Sequence, residues 1–325
     1  MISFIIIGKN VEVTIRKCIE SILTLIDLNK IKDWEIIYSD SDSNDNSLKI
    51  AMNYPVRLVK LKGDLNAAIA RNQGANIARG NILFFIDGDM ELLQCAYNTL
   101  FINEKTLRIA FITASHFDKY YSDNYLKEIE NYDYAEIASK DENNAGLTRS
   151  FTGGLFAIQK NLWDKMKGMD EKLDVNEDID FGLRMAKFGI KQFYYPYKII
   201  AIHHTIDYYD PKRILSFILT NKLLFTGTLI RKSLNNVHFL KLIIRSRYSL
   251  FLFVCSLMFI PFSINISMFL GILYFSLQLL RSLAKRKHNF LFHVYIYLII
   301  YDLYSIFGFL FFYPKIKKYS FEILQ

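Results

Sequence analysis

The chain has 325 residues, 52% hydrophobic and 22% charged, enough for one large domain plus an apolar appendage and too apolar for a purely soluble protein. Its net charge of +8 is unevenly spread: residues 1–210 carry 25 Lys/Arg against 30 Asp/Glu, whereas residues 211–325 carry 15 against only Asp302 and Glu322. The basic half is also the apolar half, so the expected partner is an anionic membrane surface, and no nucleic-acid motif accompanies it.

Cys18, Cys95 and Cys255 are widely spaced, which argues against a disulfide framework or a zinc site and fits a reducing compartment. The first apolar run, Phe4 to Ile7, stops at Gly8-Lys9 and is too short for a signal peptide. Ser3–Ile7 reads as a strand, and Thr14 to Leu25 as a helix, with Ile15, Ile19, Ile22 and Leu23 at helical spacing. Glu35–Tyr38 is a second strand that runs into a polar loop ending where Leu48 begins a helical pattern. Val56–Leu61 is a third strand, Leu65–Ala78 a helix ended by Gly80, and Ile82–Ile86 a fourth strand. This β-α-β-α-β order predicts an α/β, doubly wound, mostly parallel sheet with ligands at the carboxyl ends of its strands.

Residues 92–150 read as irregular. Phe151–Ile158 and Phe193–Tyr197 read as later strands, with a helix over Asp178–Phe188 stopped by Gly189. Residues 211–247 hold eight Lys/Arg and no acid among Leu, Ile and Phe, as basic amphipathic interfacial helices do. Residues 248–280 are almost wholly apolar, with Pro261, Asn265 and Ser267 in the middle, which predicts a re-entrant hairpin or one span followed by an interfacial turn. Phe290–Tyr313 is a cleaner span. Basic clusters stand before (Lys241, Arg245, Arg247), between (Arg281, Lys285, Arg286, Lys287) and after (Lys315, Lys317, Lys318) these segments; two simple spans cannot put all three on the cytoplasmic side. Asp302 within the last span is either functional or paired with a neighbouring helix. The resulting division is a catalytic domain at 1–210, interfacial helices at 211–247, and membrane-embedded helices with a short basic tail at 248–325.

Asp87-Gly88-Asp89 ends the fourth apolar strand. Two carboxylates flanking a glycine there are placed to hold a divalent cation against phosphate oxygens. Asp40, with Asp45 in the same loop, could accept hydrogen bonds from a nucleobase or ribose, or the loop's acids could serve only turn chemistry. Arg71 could clamp phosphate oxygens through its planar fork, or make an ordinary salt bridge. Asp178 at a helix start could act as a general base, as an N-cap, or as both.

In order, Ile5-Ile6-Ile7-Gly8-Lys9-Asn10, the Asp40–Ser47 loop, Ala70-Arg71-Asn72-Gln73-Gly74-Ala75, Asp87-Gly88-Asp89, and Gly168-Met169-Asp170-Glu171 followed by Glu177-Asp178-Ile179-Asp180 resemble the motifs of the family 2 glycosyltransferases with the GT-A fold. The resemblance covers residues 3–204. It implies that Asp40 holds the nucleobase, Arg71 the nucleotide or its diphosphate, and Asp87 the ribose or metal. It further implies that Asp89 ligates the metal, Asp178 is the base, and Glu177, Gly153 and Gly154 lie on the acceptor side. A histidine after the following strand ligates the metal in several members; of His203 and His204, His203 fits better by position. The cofactor implied is Mg²⁺ or Mn²⁺. There is no Gln-x-x-Arg-Trp motif, which argues against a processive synthase, and Asp42 replaces the small residue usual in the nucleotide loop, which leaves donor preference open.

The expected activity is inverting, metal-dependent transfer of a sugar from a nucleotide-sugar to a hydroxyl of a lipid-linked cell-surface glycan precursor. The expected location is the cytoplasmic membrane, with the catalytic domain facing the cytoplasm. A polyprenyl-phosphate acceptor is the alternative. A catalytically silent membrane scaffold or nucleotide-binding partner is the alternative of another class.

Overall fold

The computed structural model describes residues 1–122, 125, 128, 147–149, 153–190, 192–240, 248–285 and 292–324. They form two compact units: Met1–Asp207 together with Lys315–Gln325, and Tyr208–Pro314. The strands of the first unit are β1 (Ile2–Gly8), β2 (Trp34–Asp40), β3 (Arg57–Gly63), β4 (Ile82–Asp87), β5 (Met90–Leu92), β6 (Phe101–Asn103), β7 (Thr106–Leu107), β8 (Phe111–Tyr121), β9 (Leu147–Arg149), β10 (Phe156–Gln159), β11 (Gln192–Ile206) and β12 (Tyr319–Ile323). Its helices are α1 (Ile15–Leu28), α2 (Ser47–Ala51), α3 (Ala67–Ile77), α4 (Cys95–Leu100), α5 (Lys160–Lys165) and α6 (Glu177–Lys187).

One sheet runs β12-β3-β2-β1-β4-β10-β8-β11-β5, with β9 beside β11. The pairs β3-β2, β2-β1 and β1-β4 are parallel, as the β-α-β order requires, while β10 joins β4 antiparallel. The central strands are buried on both faces, which is why they read as apolar runs rather than alternations. Successive side chains still sort to opposite layers. Phe4, Ile6, Phe84 and Ile86 pack with Ile15, Cys18, Ile19 and Ile22 of α1 on one face. Ile5, Ile7, Leu83 and Phe85 pack with Ala68, Ile69 and Ala75 of α3 on the other. Gly74 lets α3 approach β1, since a Cβ there would stand 2.4 Å from Ile5 Cγ2.

Three expectations change. The stretch 92–150 is not uniformly irregular: β8 is an eleven-residue strand whose first half, Phe111 to Ala114, is buried. The strand expected at 193–197 extends to Ile206, because β11 runs along β8 and then takes β5 on its other side. The tail 315–325, expected with the membrane-embedded part, belongs to the first unit, where β12 adds antiparallel to the sheet edge at β3. The start of the strand expected at Phe151–Ile158 and the residues Lys241, Arg245, Arg247, Arg286, Lys287 and Phe290 lie outside the described residues.

The second unit holds α7 (Pro211–Leu219), α8 (Leu224–Ser233), α9 (Tyr248–Phe259), α10 (Ile264–Lys285) and α11 (Phe292–Phe311). Helices α7 and α8 meet at 65°. The break at 260–263 falls at Pro261, and α9 and α10 form a hairpin in which Ser256 and Ser267 each donate to the other's carbonyl, at 2.9 and 2.8 Å. α10 and α11 are long and apolar enough to cross a membrane, whereas the twelve residues of α9 reach only about 18 Å. Helix α8 crosses α11 at Gly227 and Gly308, where a Cβ would come within 2.1 Å of the facing backbone, the close approach that small residues permit between apolar helices. Asp302, buried in α11, accepts hydrogen bonds from Ser249, Tyr274 and Gln278.

Candidate active site

The site is assembled at the carboxyl ends of β1, β2 and β4. After β4 the chain turns at Gly88, whose N–H donates to the Ile7 carbonyl at 2.8 Å and whose carbonyl accepts from the Thr14 hydroxyl at 2.9 Å. Asp87 and Asp89 thereby flank a turn pinned to the first strand. The next residues form β5, whose register places Met90 opposite His203 of β11. That pairing aims His203 Nε2 at Asp89 Oδ2, 3.4 Å away. The neighbouring β8–β11 register places Asp118 opposite His203, and Asp118 Oδ1 lies 2.7 Å from His203 Nδ1. His116 Nε2 stands 3.5 Å from the same carboxylate.

His116, Asp118 and His203 can each turn one ligand atom to within 4.8 Å of the others. Asp89 Oδ1 is buried without a hydrogen-bond partner among the described residues. A carboxylate with one orphaned oxygen and the other beside an imidazole that a second carboxylate orients is a donor set suited to a divalent cation. Burial alone would lower the His203 pKa, but hydrogen bonds and charge from Asp118 and Asp89 outweigh it and push it up to about 10. Asp118 is held well below the usual carboxylate range by His116 and His203 against the effect of burial. His204 is turned elsewhere: its Nδ1 meets the Tyr121 hydroxyl at 2.8 Å and its Nε2 meets Glu91 at 3.1 Å.

Arg71 projects from the buried face of α3 and is 3% exposed. Its Nη2 donates to Asp87 Oδ1 at 2.8 Å and its Nη1 to Glu177 Oε1 at 3.0 Å. A guanidinium suits this position because its planar fork serves two carboxylates at once. Arg71 thus ties the end of β4 to the start of α6, and its two terminal nitrogens are engaged with protein rather than turned to solvent. Burial and then the Asp178 charge push the Glu177 carboxyl up to about 7, against the pull of Arg71. Burial also raises Asp87, with Arg71 opposing and Asp89 adding to the shift.

Helix α6 opens after Asn176, which takes a left-handed φ of 66°. Glu177, Asp178 and Asp180 crowd its first turn, where the helix dipole favours negative charge. Asp178 Oδ2 accepts from the Gly153 N–H at 3.2 Å and Oδ1 from the Ile179 N–H at 2.8 Å. The adjoining Gly154 passes so close to the strand end that a Cβ would lie 2.0 Å from Asp87 Oδ2. Gly153-Gly154 therefore runs between the Asp87 carboxylate and the Asp178 carboxylate.

Asp40 is fully buried. Its Oδ1 accepts from the Tyr38 and Ser43 hydroxyls, at 2.9 and 2.5 Å, and its Oδ2 from the Ser43 N–H at 2.9 Å. Asp45 accepts from the Glu12 N–H at 3.0 Å and from Ser47. The turn chemistry open to these residues in the sequence is realised: Asp40 ties Ser43 back to the end of β2, and Asp45 ties the loop to Glu12.

Of the residues expected in the site, Arg71 meets Asp87 and Glu177, His203 meets Asp89, and Gly153 and Gly154 run between Asp178 and Asp87, whereas Asp40 is engaged within its own loop. Sequence reasoning missed Asp118 and His116, which sit in a stretch read as irregular. Their only local signal was the apolar run Phe111-Ile112 with Phe117 six residues on; their relation to His203 comes from strand register.

Residues 3–100 match the family model described as Glycosyl transferase family 2. Two curated relatives match over a similar length. The uncharacterized glycosyltransferase YibD of Escherichia coli (strain K12) is 38% identical over 93 residues, 26% of this chain and 25% of that protein. The uncharacterized glycosyltransferase EpsJ of Bacillus subtilis (strain 168) is 35% identical over 95 residues, 27% and 26% respectively. The matched segment thus spans about a quarter of each relative's length. Among solved structures, S. aureus TarS 1-349 in complex with UDP-GlcNAc is similar in fold, with a TM-score of 0.52 at 13% identity, covering 73% of this chain and 67% of that one.

Proposed function

We propose that this chain is a family 2 glycosyltransferase with a GT-A-type sheet, and that it transfers a sugar from a nucleotide-sugar to a hydroxyl of a lipid-linked glycan precursor, with inversion, at the cytoplasmic face of a membrane. The observation that carries this reading is the Arg71 bridge, which holds Asp87 beside the cation edge and Glu177 beside the candidate base in one site.

Asp89 and His203 would hold a Mg²⁺ or Mn²⁺ ion, with Asp118 orienting the imidazole. When bound, the ion would neutralise charge developing on the departing diphosphate. Asp178 Oδ2, presented by Gly153, takes the proton of the acceptor hydroxyl as its oxygen attacks the anomeric carbon. The new oxygen–carbon bond forms opposite the breaking bond to the diphosphate oxygen, which leaves with the electron pair. Arg71 acts as an organiser of the two carboxylates, and Asp40 as the residue that shapes the nucleotide loop. Membrane attachment through α10 and α11 favours an acceptor carried on a lipid.

The test is a donor screen on the full chain in detergent, reading nucleoside diphosphate release with an added lipid-linked acceptor, with and without chelator. Release that needs both acceptor and divalent cation, and is lost in Asp178→Asn and in Asp89→Ala, is expected. Full release in Asp178→Asn overturns the base assignment, and full release after chelation overturns the cation assignment.

A further inference from the structure

The segment Gly168–Asn176, which delivers Glu177 and Asp178, is held from two sides. From α3 and its cap, Asn66 Nδ2 donates to the carbonyls of Glu171 and Leu173, at 2.8 and 3.1 Å, and to Asp174 Oδ1 at 3.2 Å. Asn72 Nδ2 donates to the Met169 carbonyl and to Glu171 Oε1, both at 3.0 Å, and its Oδ1 accepts from the Met169 N–H at 2.9 Å.

The other side is the C-terminal tail. Tyr319 Oη lies 3.2 Å from each Glu171 oxygen and accepts from Gln73 Nε2 at 2.8 Å. Lys317 Nζ stands 2.6 Å from Asp174 Oδ1, with both side chains largely covered. Each tail contact therefore lands on a carboxylate that α3 or its cap also holds. The fold makes room for this return: Gly63 has a φ of +111°, and a Cβ there would lie 2.5 Å from the Lys318 carbonyl. The Lys318 carbonyl instead accepts from the Asp64 N–H at 2.9 Å, and Leu324 N–H donates to Leu58 at the far end of the strand.

We propose that residues 315–323 are a brace for the acceptor-side segment, with Tyr319 and Lys317 as positioning residues that set where Glu177 and Asp178 stand. The brace begins four residues after α11 ends at Phe311, so the last apolar helix and the acceptor segment are joined by one short stretch of chain. The catalytic half of this inference rests on the glycosyltransferase reading; the mechanical half does not.

The test compares Tyr319→Phe, Lys317→Met and a chain ending at Pro314 with the parent, all in detergent. Hydrogen exchange of peptides covering 168–178 should rise in all three, with β1 and β4 unchanged. Acceptor-dependent turnover should fall about three- to tenfold in Tyr319→Phe, with the KM for the nucleotide-sugar unchanged. Lys317→Arg should restore what Lys317→Met loses. Unchanged exchange over 168–178 in both point variants overturns the brace, as does an equal rise across β1 and β4. A protein that turns over no donor defeats the functional reading while the exchange result still decides the mechanical one.

Discussion

His203 Nδ1 lies 2.7 Å from Asp118 Oδ1, on the adjacent strand of a parallel pair whose register sets those two residues opposite one another. The contact leaves Nε2 as the nitrogen presented to Asp89. A carboxylate that fixes the orientation of a histidine tunes whatever the other ring nitrogen binds.

Asp118→Asn is therefore expected to weaken divalent-cation binding about 10- to 100-fold while leaving the fold intact. Titration with Mn²⁺ followed by paramagnetic resonance reads this directly, without any substrate. An unchanged dissociation constant would remove Asp118 from the site.

Arg71 neutralises two carboxylates in a buried position. Its removal leaves both without their cation, so Arg71→Ala should destabilise the first unit by about 3–5 kcal/mol. Arg71→Lys should recover only part of this, because an ammonium cannot reach both partners with a fixed fork. Denaturant unfolding in detergent measures the difference.

Gly154 faces Asp87 too closely for any side chain. Gly154→Ala should displace the Asp87 carboxylate or the Gly153 N–H that serves Asp178, and donor turnover should fall more than protein stability does. Parallel measurement of nucleoside diphosphate release and melting temperature checks this, and full turnover would show that the segment yields freely.

Glu177 provides a pH signature. Its folded pKa of about 7 lies above the ordinary 4.5, so between these values the folded state holds a proton that the unfolded state has lost. The stabilising contribution is fully present below pH 4.5 and disappears as pH rises through about 7. It amounts to no more than about 3 kcal/mol. Glu177→Gln should flatten the fall of stability over that window, and identical pH slopes for variant and parent would contradict the assignment.

Asp207 and Lys315 belong to the same compact unit, so they are expected on one side of a bilayer, with an even number of crossings by the chain between them. Helices α10 and α11 are long and apolar enough to supply two such crossings. With Cys255 replaced, Ile316→Cys should react with an impermeant thiol reagent from the same side as the exposed Cys95. Ala284→Cys near the end of α10, with Cys95 and Cys255 replaced, should react from the opposite side. Labelling of position 316 and Cys95 from opposite faces would refute the parity.

What the sequence determined by itself was whatever is carried by local pattern. The apolar runs at Phe4–Ile7 and Ile82–Ile86, the helical spacing of Ile15, Ile19 and Ile22, and the Asp87-Gly88-Asp89 turn are each written within a dozen residues. Burial of a strand on both faces or of one helix stripe depends on little else. The break at Pro261 was legible for the same reason. Tertiary structure alone decided the pairings. Asp118 meets His203 across 85 residues through a strand register, and Tyr319 meets Glu171 across 148 through the return of the tail to the sheet edge, and no local period encodes either. It also decided what the charged groups do. Arg71 and Asp40 carry the same side chains whether they face a ligand or the protein, and only the neighbours folded around them direct their charge inward.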